Sequence, residues 1–395
     1  MNTQVAIIGA GAIGLSLAYE LSRRGRQVTV IERDPVDSLQ HSQTQSLGKT
    51  RSATSLAAAG ILPPANLDRS TDPIDRLRGL SHQLFPEWTD RLQRESGIDS
   101  ELIRCGGWYL ADTIGEVASM AGMVSYWNEL AIECREMSLQ ELVRREPAMQ
   151  SWSQRDGLAK AWWVPDEYQI RTPRYLDALA IACARQGVEF LDRAKVVDLD
   201  DSRGHATLTL QCERSAEQTI QVDQAVVCGG SWSGLLAERL RLCQSIVPVR
   251  GQILLLKTET AMMTSVINVG HRYFVPRRDG YVLVGSCEEE VGFQHGTTPA
   301  ILHDLRSFVA DTCPPLAQAR QVSAWSGLRP MTFDGFPMCG KLPDSESIYV
   351  ATGHFRSGIH LSPGTAVCMA DLMCGQIPPL DLAAFRVGKQ QSHEH

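Results

Sequence analysis

The sequence predicts an α/β Rossmann-like domain joined to an α+β domain built on an antiparallel sheet. A strand, glycine loop, helix and strand open the chain; two later apolar strands run into glycine-rich loops; and a hairpin signal lies between those strands. With 395 residues and 43% hydrophobic content, the chain is long enough for two domains and a large core.

Val5-Ala6-Ile7-Ile8 is wholly apolar, as a buried parallel strand should be, and Gly9-Ala10-Gly11-Ala12-Ile13-Gly14 follows directly. Leu15, Leu17, Ala18 and Leu21 then recur at helical spacing. Arg23-Arg24-Gly25 ends that helix with positive charge at the negative end of its dipole. A second strand, Val28-Thr29-Val30-Ile31, leads to Glu32. In a dinucleotide fold Gly9 permits the tight turn, Gly11 lets a pyrophosphate approach the backbone, and Gly14 lets helix and strand pack closely. The helix N-terminus offers free N–H groups to the anion, and Glu32 would accept hydrogen bonds from the adenosine ribose. This pattern does not choose between NAD and FAD.

Three later features favour FAD. Gln224-Ala225-Val226-Val227-Cys228-Gly229-Gly230-Ser231-Trp232-Ser233 is an apolar strand ending in paired glycines, like the second cofactor-side strand of flavoproteins; a core strand with a glycine turn is the plainer alternative. Ile348-Tyr349-Val350-Ala351-Thr352-Gly353-His354-Phe355-Arg356-Ser357-Gly358, then Pro363-Gly364-Thr365, reads as strand, glycine loop and a helix running to about Met373. A helix N-terminus there would stabilise negative charge at the N1–C2=O edge of a flavin, or the segment is an ordinary strand-to-helix turn. Ser52-Ala53-Thr54-Ser55-Leu56-Ala57-Ala58-Ala59-Gly60-Ile61 is small enough to press its backbone against a flat ring, or to be a tightly packed helix.

Composition narrows the function. A net charge of −7 and a pI near 5.8 argue against nucleic-acid or anionic-membrane partners, leaving a small-molecule substrate. No apolar run approaches the roughly 20 residues of a membrane span. Met1-Asn2-Thr3-Gln4 lacks the basic residues and cleavage site of a signal peptide, so a cytoplasmic location is expected. The eleven cysteines are scattered without a C-x-x-C pair, which suggests reduced thiols and no metal site. The polar stretch from about Asp37 to Lys49 reads as a surface loop, and no internal repeat is found. Tyr273 to Pro276 and Tyr281 to Gly285 are apolar strands joined by Arg277-Arg278-Asp279-Gly280, a hairpin signal.

The chain resembles the D-amino-acid oxidase-like FAD-dependent oxidoreductases, and among them the glycine oxidases of the thiamine pathway. The likeness runs from Gly9-Ala10-Gly11 through Ser55-Leu56-Ala57-Ala58-Ala59-Gly60, Cys105-Gly106-Gly107-Trp108-Tyr109, Pro248-Val249-Arg250-Gly251 and Tyr273-Phe274-Val275-Pro276-Arg277. Trp325-Ser326-Gly327-Leu328-Arg329-Pro330 and Gly353-His354-Phe355-Arg356-Ser357-Gly358-Ile359 are its most specific stretches. The resemblance implies a glutathione-reductase-type FAD-binding domain from residues 1–85, 155–235 and 325–395, and a substrate domain from 86–154 and 236–324. It places Ile13, Arg33, Thr54, Ser55, Ala59, Gly60, Ile61, Val196, Gly229, Gly230, Trp232 and the run Gly353 to His360 with Gly9, Gly11, Gly14 and Glu32 at the cofactor.

It also implies that Arg329 binds a substrate carboxylate through its guanidinium fork, helped by the Tyr273 hydroxyl, with Arg356 at the site entrance or on the cofactor. The implied reaction is hydride transfer from Cα of an amino acid or N-substituted glycine to flavin N5, driven by an unprotonated amine without a dedicated base, with dioxygen reduced to hydrogen peroxide. A dehydrogenase passing electrons to a quinone or protein, and a non-catalytic flavin-binding subunit, are the alternatives. An NAD-dependent dehydrogenase ranks last. Homo-oligomers are common among the proteins it resembles. In sarcosine oxidases of this family FAD is bonded to a cysteine about where Leu328-Arg329 stands; Cys339 lies well downstream, so non-covalent FAD is expected. His271 and His354 read as structural, whereas His360 replaces an apolar residue of the glycine oxidases and marks a departure.

Overall fold

The computed structural model describes residues 4–36, 54–155, 157–202, 204–213, 216–236 and 245–388. The expected loop 37–49 lies outside them. The opening unit forms as the sequence predicts: β1 (Gln4–Ile8), α1 (Ala12–Arg23) and β2 (Gln27–Ile31), followed by α2 (Pro73–Ser96). The chain then runs through β3 (Gly107–Ala111), α3 (Ile114–Glu129), β4 (Arg135–Met137), β5 (Lys160–Val164) and α4 (Thr172–Arg185). It continues through β6 (Glu189–Leu191), β7 (Gln224–Val227), β8 (Ile246–Lys257), β9 (Val266–Val269), β10 (Arg272–Pro276), β11 (Tyr281–Gly285) and β12 (Arg320–Thr332). β13 (Met338–Lys341), β14 (Ile348–Thr352) and α5 (Gly358–Met373) complete the site-bearing frame.

Two large sheets result. One has the order β13-β14-β7-β1-β2-β6, parallel except for β13 at its edge, and takes its strands from three separated stretches of chain. α1 packs on it beside α4 and α5, burying Leu15, Leu17 and Leu21 completely. The other has the order β12-β8-β11-β10-β9-β3-β5-β4 and is antiparallel except where β9 lies parallel to β3. Its far face buries Trp108, Phe274, Leu254 and Val284 against Leu305 and Val309. β5 falls inside the 155–235 stretch that the resemblance gives to the cofactor domain, yet pairs with β3 and β4 of this second sheet. Ala161 decides its place, being fully buried in the same cluster as Trp108.

The last helix starts earlier than the sequence suggests. α5 begins at Gly358 and carries Pro363 inside it. Proline cannot donate to the carbonyl four residues back. Here the Ser362 hydroxyl donates to the Ile359 carbonyl at 2.8 Å and satisfies it. The small-residue stretch forms a short helix, Thr54–Ala57, none of whose residues is fully buried, followed by an extended segment at Ile61–Leu62.

Candidate functional site

The cavity begins at the glycine loop after β1. Gly9 adopts φ +111°, and a Cβ there would stand 2.7 Å from the Cys228 carbonyl oxygen. A Cβ on Gly14 would come 2.0 Å from the Gly9 carbonyl oxygen, so only glycine lets α1 sit this close to the turn. Gly11 is the N-cap of α1, whose first turn holds no acidic residue, leaving the positive end of its dipole open toward the cavity. Ser55 Oγ accepts from the Ala12 N–H at 3.0 Å. The Glu32 carboxylate accepts from the Ala10 and Asp34 N–H groups at 2.7 and 3.1 Å, which fixes the loop beside the end of β2. Beyond it the Arg33 guanidinium lies 4.1 Å from the centre of the Trp232 ring, and His295 stacks on Trp232 at 5.4 Å.

At the middle of the cavity the small-residue stretch is held by long-range bonds that local sequence does not reveal. Thr54 Oγ1 donates to the Leu328 carbonyl at 2.5 Å, and Trp325 Nε1 to the Ala57 carbonyl at 3.3 Å. Arg277 is 5% exposed and donates to the Ala59 carbonyl at 2.7 Å and to Gln169 Oε1 at 2.8 Å. Burial pulls its pKa down to about 10, with Arg171 adding to the effect. Gly60, at φ +74°, would place a Cβ 2.0 Å from the Ile170 carbonyl oxygen. Sequence reading carried Arg277 as part of a turn and of a stretch of likeness, without a task; its distance from Ala59 along the chain hid it.

At the far end Arg329 Nη2 donates to Ser286 Oγ at 2.8 Å and Nη1 to the Cys287 carbonyl at 3.1 Å. Burial lowers the Arg329 pKa, and the same cause raises that of Tyr273. Two glycines make room for these side chains. A Cβ on Gly251 would lie 2.2 Å from Arg329 Nη2, and one on Gly285 2.5 Å from the Tyr273 hydroxyl. Cross-strand register aligns Tyr109, Asn268, Tyr273 and Gly285 in one row across β3, β9, β10 and β11. Of these only Tyr273 was singled out from sequence, because a register row joins residues far apart in the chain.

Arg356 also borders the cavity, but is half exposed and ion-paired with Glu288, its Nε donating at 2.7 Å. His354 is buried, with Nε2 3.1 Å from Thr365 Oγ1, and burial pushes its pKa down to about 3. His360 is buried beside His82. Cys339 is in the core, 1% exposed.

Behind Tyr109 and Asn268 lies a group that sequence reading missed. Glu167 is fully buried and accepts from the Tyr109 hydroxyl at 2.5 Å and from Asn268 Nδ2 at 3.2 Å. Burial pushes its carboxyl up to about 7, against the pull of those two bonds, from a reference of 4.5. The folded chain therefore keeps a proton that the unfolded chain gives up between these values, and this group's contribution to stability falls as pH rises across that window, by about 3 kcal/mol. Urea midpoints measured between pH 5 and 8 are expected to decline less for Glu167→Gln than for the wild type; parallel declines would reject the assignment.

All the candidate cofactor residues except Gly14 line one cavity of about 770 Å³, and Arg329, Tyr273 and Arg356 line it too; Gly14 acts from behind the loop. The cavity lining brings together Glu32, Arg33 and Val196, the N-terminus of α1, Ala59, Gly60 and Gly353, Arg329 and Tyr273, and Met123, Tyr126 and Trp127 of α3. A long cofactor with an anionic centre and a flat ring fits that set of surfaces, and FAD has this form.

Comparison with known proteins agrees. A family profile described as FAD dependent oxidoreductase matches residues 4–372. Glycine oxidase of Geobacillus kaustophilus is 29% identical over 383 residues, spanning 96% of this chain and 95% of its own. Glycine oxidase of Pseudomonas aeruginosa is 29% identical over 390 residues, 98% of both chains. Among solved structures, the G. kaustophilus glycine oxidase superposes with a TM-score of 0.86 at 28% identity, covering 98% of this chain and all of that one. L-proline dehydrogenase from P. horikoshii, at 17% identity, shares the fold with a TM-score of 0.78, covering 98% of this chain and 96% of its own.

Proposed function

This chain belongs to the FAD-dependent oxidoreductase family, and on that premise we propose that it oxidises the carbon beside the amine of a small amino acid or N-substituted glycine. The observation that carries this reading is the Arg329 fork beside Tyr273 at the end of the cofactor cavity, in space cleared by Gly251 and Gly285. FAD, when bound, supplies the two-electron acceptor for hydride from Cα.

The chain's own residues bind and orient. Arg329 turns its two N–H groups from Ser286 Oγ and the Cys287 carbonyl to the substrate carboxylate, exchanging neutral acceptors for a charged one. Tyr273 contributes a third donor and, with its pKa raised by burial, stays protonated. Holding the carboxylate at three points fixes Cα against the ring, and this positioning is the catalytic contribution assigned to the protein. Arg356, tied to Glu288, borders the mouth. Ile13, Arg33, Val196 and Trp232 wall the adenosine end.

The proposal carries dioxygen as the electron acceptor, non-covalent FAD, a cytoplasmic location and assembly as a homo-oligomer. Among the described residues no helix is long and apolar enough to cross a membrane. The experiment is anaerobic mixing with glycine, sarcosine, D-alanine, D-proline and larger N-alkyl glycines while the flavin band near about 450 nm is followed. Bleaching by at least one is expected, with return of the band and hydrogen peroxide on admitting air. A yellow protein that none of them bleaches would reject the substrate class; bleaching without reoxidation by air would favour a quinone or protein acceptor.

A further inference from the structure

His360 stands in the first turn of α5, 2% exposed, on the wall of the cofactor cavity. Its Nε2 lies 3.3 Å from His82 Nδ1 on α2, and His82 Nε2 lies 3.1 Å from Asp166 Oδ2. Asp166 Oδ1 in turn meets Arg104 Nε at 2.8 Å. Exposure rises along the line, from 10% for the His82 side chain to 34% for Asp166 and 57% for Arg104. A continuous row of proton-carrying groups therefore joins the cavity wall to solvent.

The row has a defined polarity. Burial opposes charge on Asp166, but His82 and Arg104 hold its pKa below the ordinary value, so it is an ionised acceptor. A neutral His82 must then carry its proton on Nε2 and offer Nδ1 as acceptor, and His360 must donate through Nε2. This leaves His360 Nδ1 as a bare lone pair, and that buried atom has no hydrogen-bond partner among the described residues. Burial, the largest cause, keeps the His360 imidazole well below its usual pKa, and the Arg78 charge on α2 adds to it. The ring therefore passes a proton on and does not retain it. Phe85 of α2 is its remaining ring neighbour and carries no charge.

Amine oxidation gives such a route a proton to carry when the substrate binds in its ammonium form. When a zwitterionic amino acid becomes an iminium, Cα loses hydrogen with its electron pair and the ammonium loses one proton; atoms and charge balance only if that proton leaves. Reduction of dioxygen to hydrogen peroxide by a delivered hydride consumes one proton in return.

We propose that His360, His82 and Asp166 form a proton relay between the cofactor cavity and solvent, with His360 as its cavity-side terminus. A proton taken at His360 Nδ1 is matched by transfer of the Nε2 proton to His82 Nδ1, and of the His82 Nε2 proton to Asp166 and water. Both rings then hold their protons on the opposite nitrogens, ready to run once in reverse and return one proton. One outward and one inward transfer per cycle is the demand of the two half-reactions. The relay rests on the reading above for its bound flavin alone, not for the identity of the substrate.

The test therefore uses no substrate. FAD bound to the full protein is reduced photochemically and mixed anaerobically with ferricyanide in weak buffer containing a pH indicator. Ferricyanide removes two electrons and leaves one proton per flavin to be expelled. In the wild type, the indicator change and the return of the flavin band are expected to coincide. In Asp166→Asn, which keeps the side chain's shape but cannot take up the proton, the indicator should trail the band by about tenfold in rate. His82→Ala should show the same lag, abolished by added imidazole, a rescue that loss of packing alone would not produce. Coincident traces in both variants, or a lag that imidazole leaves unchanged, would overturn the relay.

Discussion

Arg329→Ala is expected to retain its FAD and to lose about 10²- to 10³-fold in kcat/KM toward any carboxylate-bearing amine. Two charge-assisted hydrogen bonds to one carboxylate, at about 1.5–2 kcal/mol each, are worth about 3–4 kcal/mol, which sets that range. The cofactor should stay because Arg329 bonds to Ser286 and Cys287, just past β11 of the second sheet, whereas the glycine loop, Glu32 and Trp232 follow strands of the first. Arg329→Lys should recover little, since an ammonium cannot offer two parallel donors. The measurement is flavin content by absorbance together with anaerobic bleaching rates across substrate concentration. Unchanged kcat/KM would remove Arg329 from the site, and a colourless variant would make it a folding or cofactor residue instead.

Gly14→Ala is expected to yield a colourless, destabilised protein. The added Cβ would stand 2.0 Å from the Gly9 carbonyl oxygen, 3.1 Å from its carbon and 3.3 Å from Cys228 Cβ, so two of the three opposing atoms are backbone. α1 cannot retreat, because Leu15, Leu17, Ala18 and Leu21 are fully buried behind it. The glycine loop must distort, and the anion site made by the N-terminus of α1 goes with it. Gly11→Ala offers the contrast. Its Cβ would meet only Ser55 Oγ, at 3.4 Å, so the fold should survive while FAD affinity falls, the methyl occupying space assigned to the pyrophosphate. Thermal melting and flavin titration of the two variants separate these outcomes. A Gly11→Ala protein that binds FAD like the wild type would reject the assigned contact.

The glycines legible in the sequence share a property: each belongs to a strand, loop and helix start that are contiguous in the chain. Gly9, Gly11 and Gly14 form a turn and a helix start legible from spacing, and Gly353 to His360 a second one whose expected cofactor role came from the resemblance. β5 shows the reverse. Its apolar residues marked it as structured, but only pairing with β3 and β4 decided which sheet it joined. The early start of α5 was hidden because Pro363 reads as a helix breaker until Ser362 is seen to satisfy the Ile359 carbonyl. Arg277, Ser286 and Glu167 escaped notice for a further reason. Their partners Ala59, Arg329 and Tyr109 lie tens to hundreds of residues away, and no local pattern distinguishes a buried arginine or glutamate from an exposed one.

The sequence by itself determined the strand–helix–strand frame and its glycines, because backbone conformation and dipole direction are local consequences of residue type and order. Family resemblance extended that frame to FAD and to Arg329 and Tyr273, the pair proposed to bind a carboxylate. What only the tertiary structure decided is the set of relations made by register and burial. The row Tyr109, Asn268, Tyr273 and Gly285, the clearance of Gly251 beneath Arg329, and the line from His360 through His82 to Asp166 all join distant stretches. Such relations depend on which surfaces exclude water together, and that is settled only when the two sheets close on the same cavity.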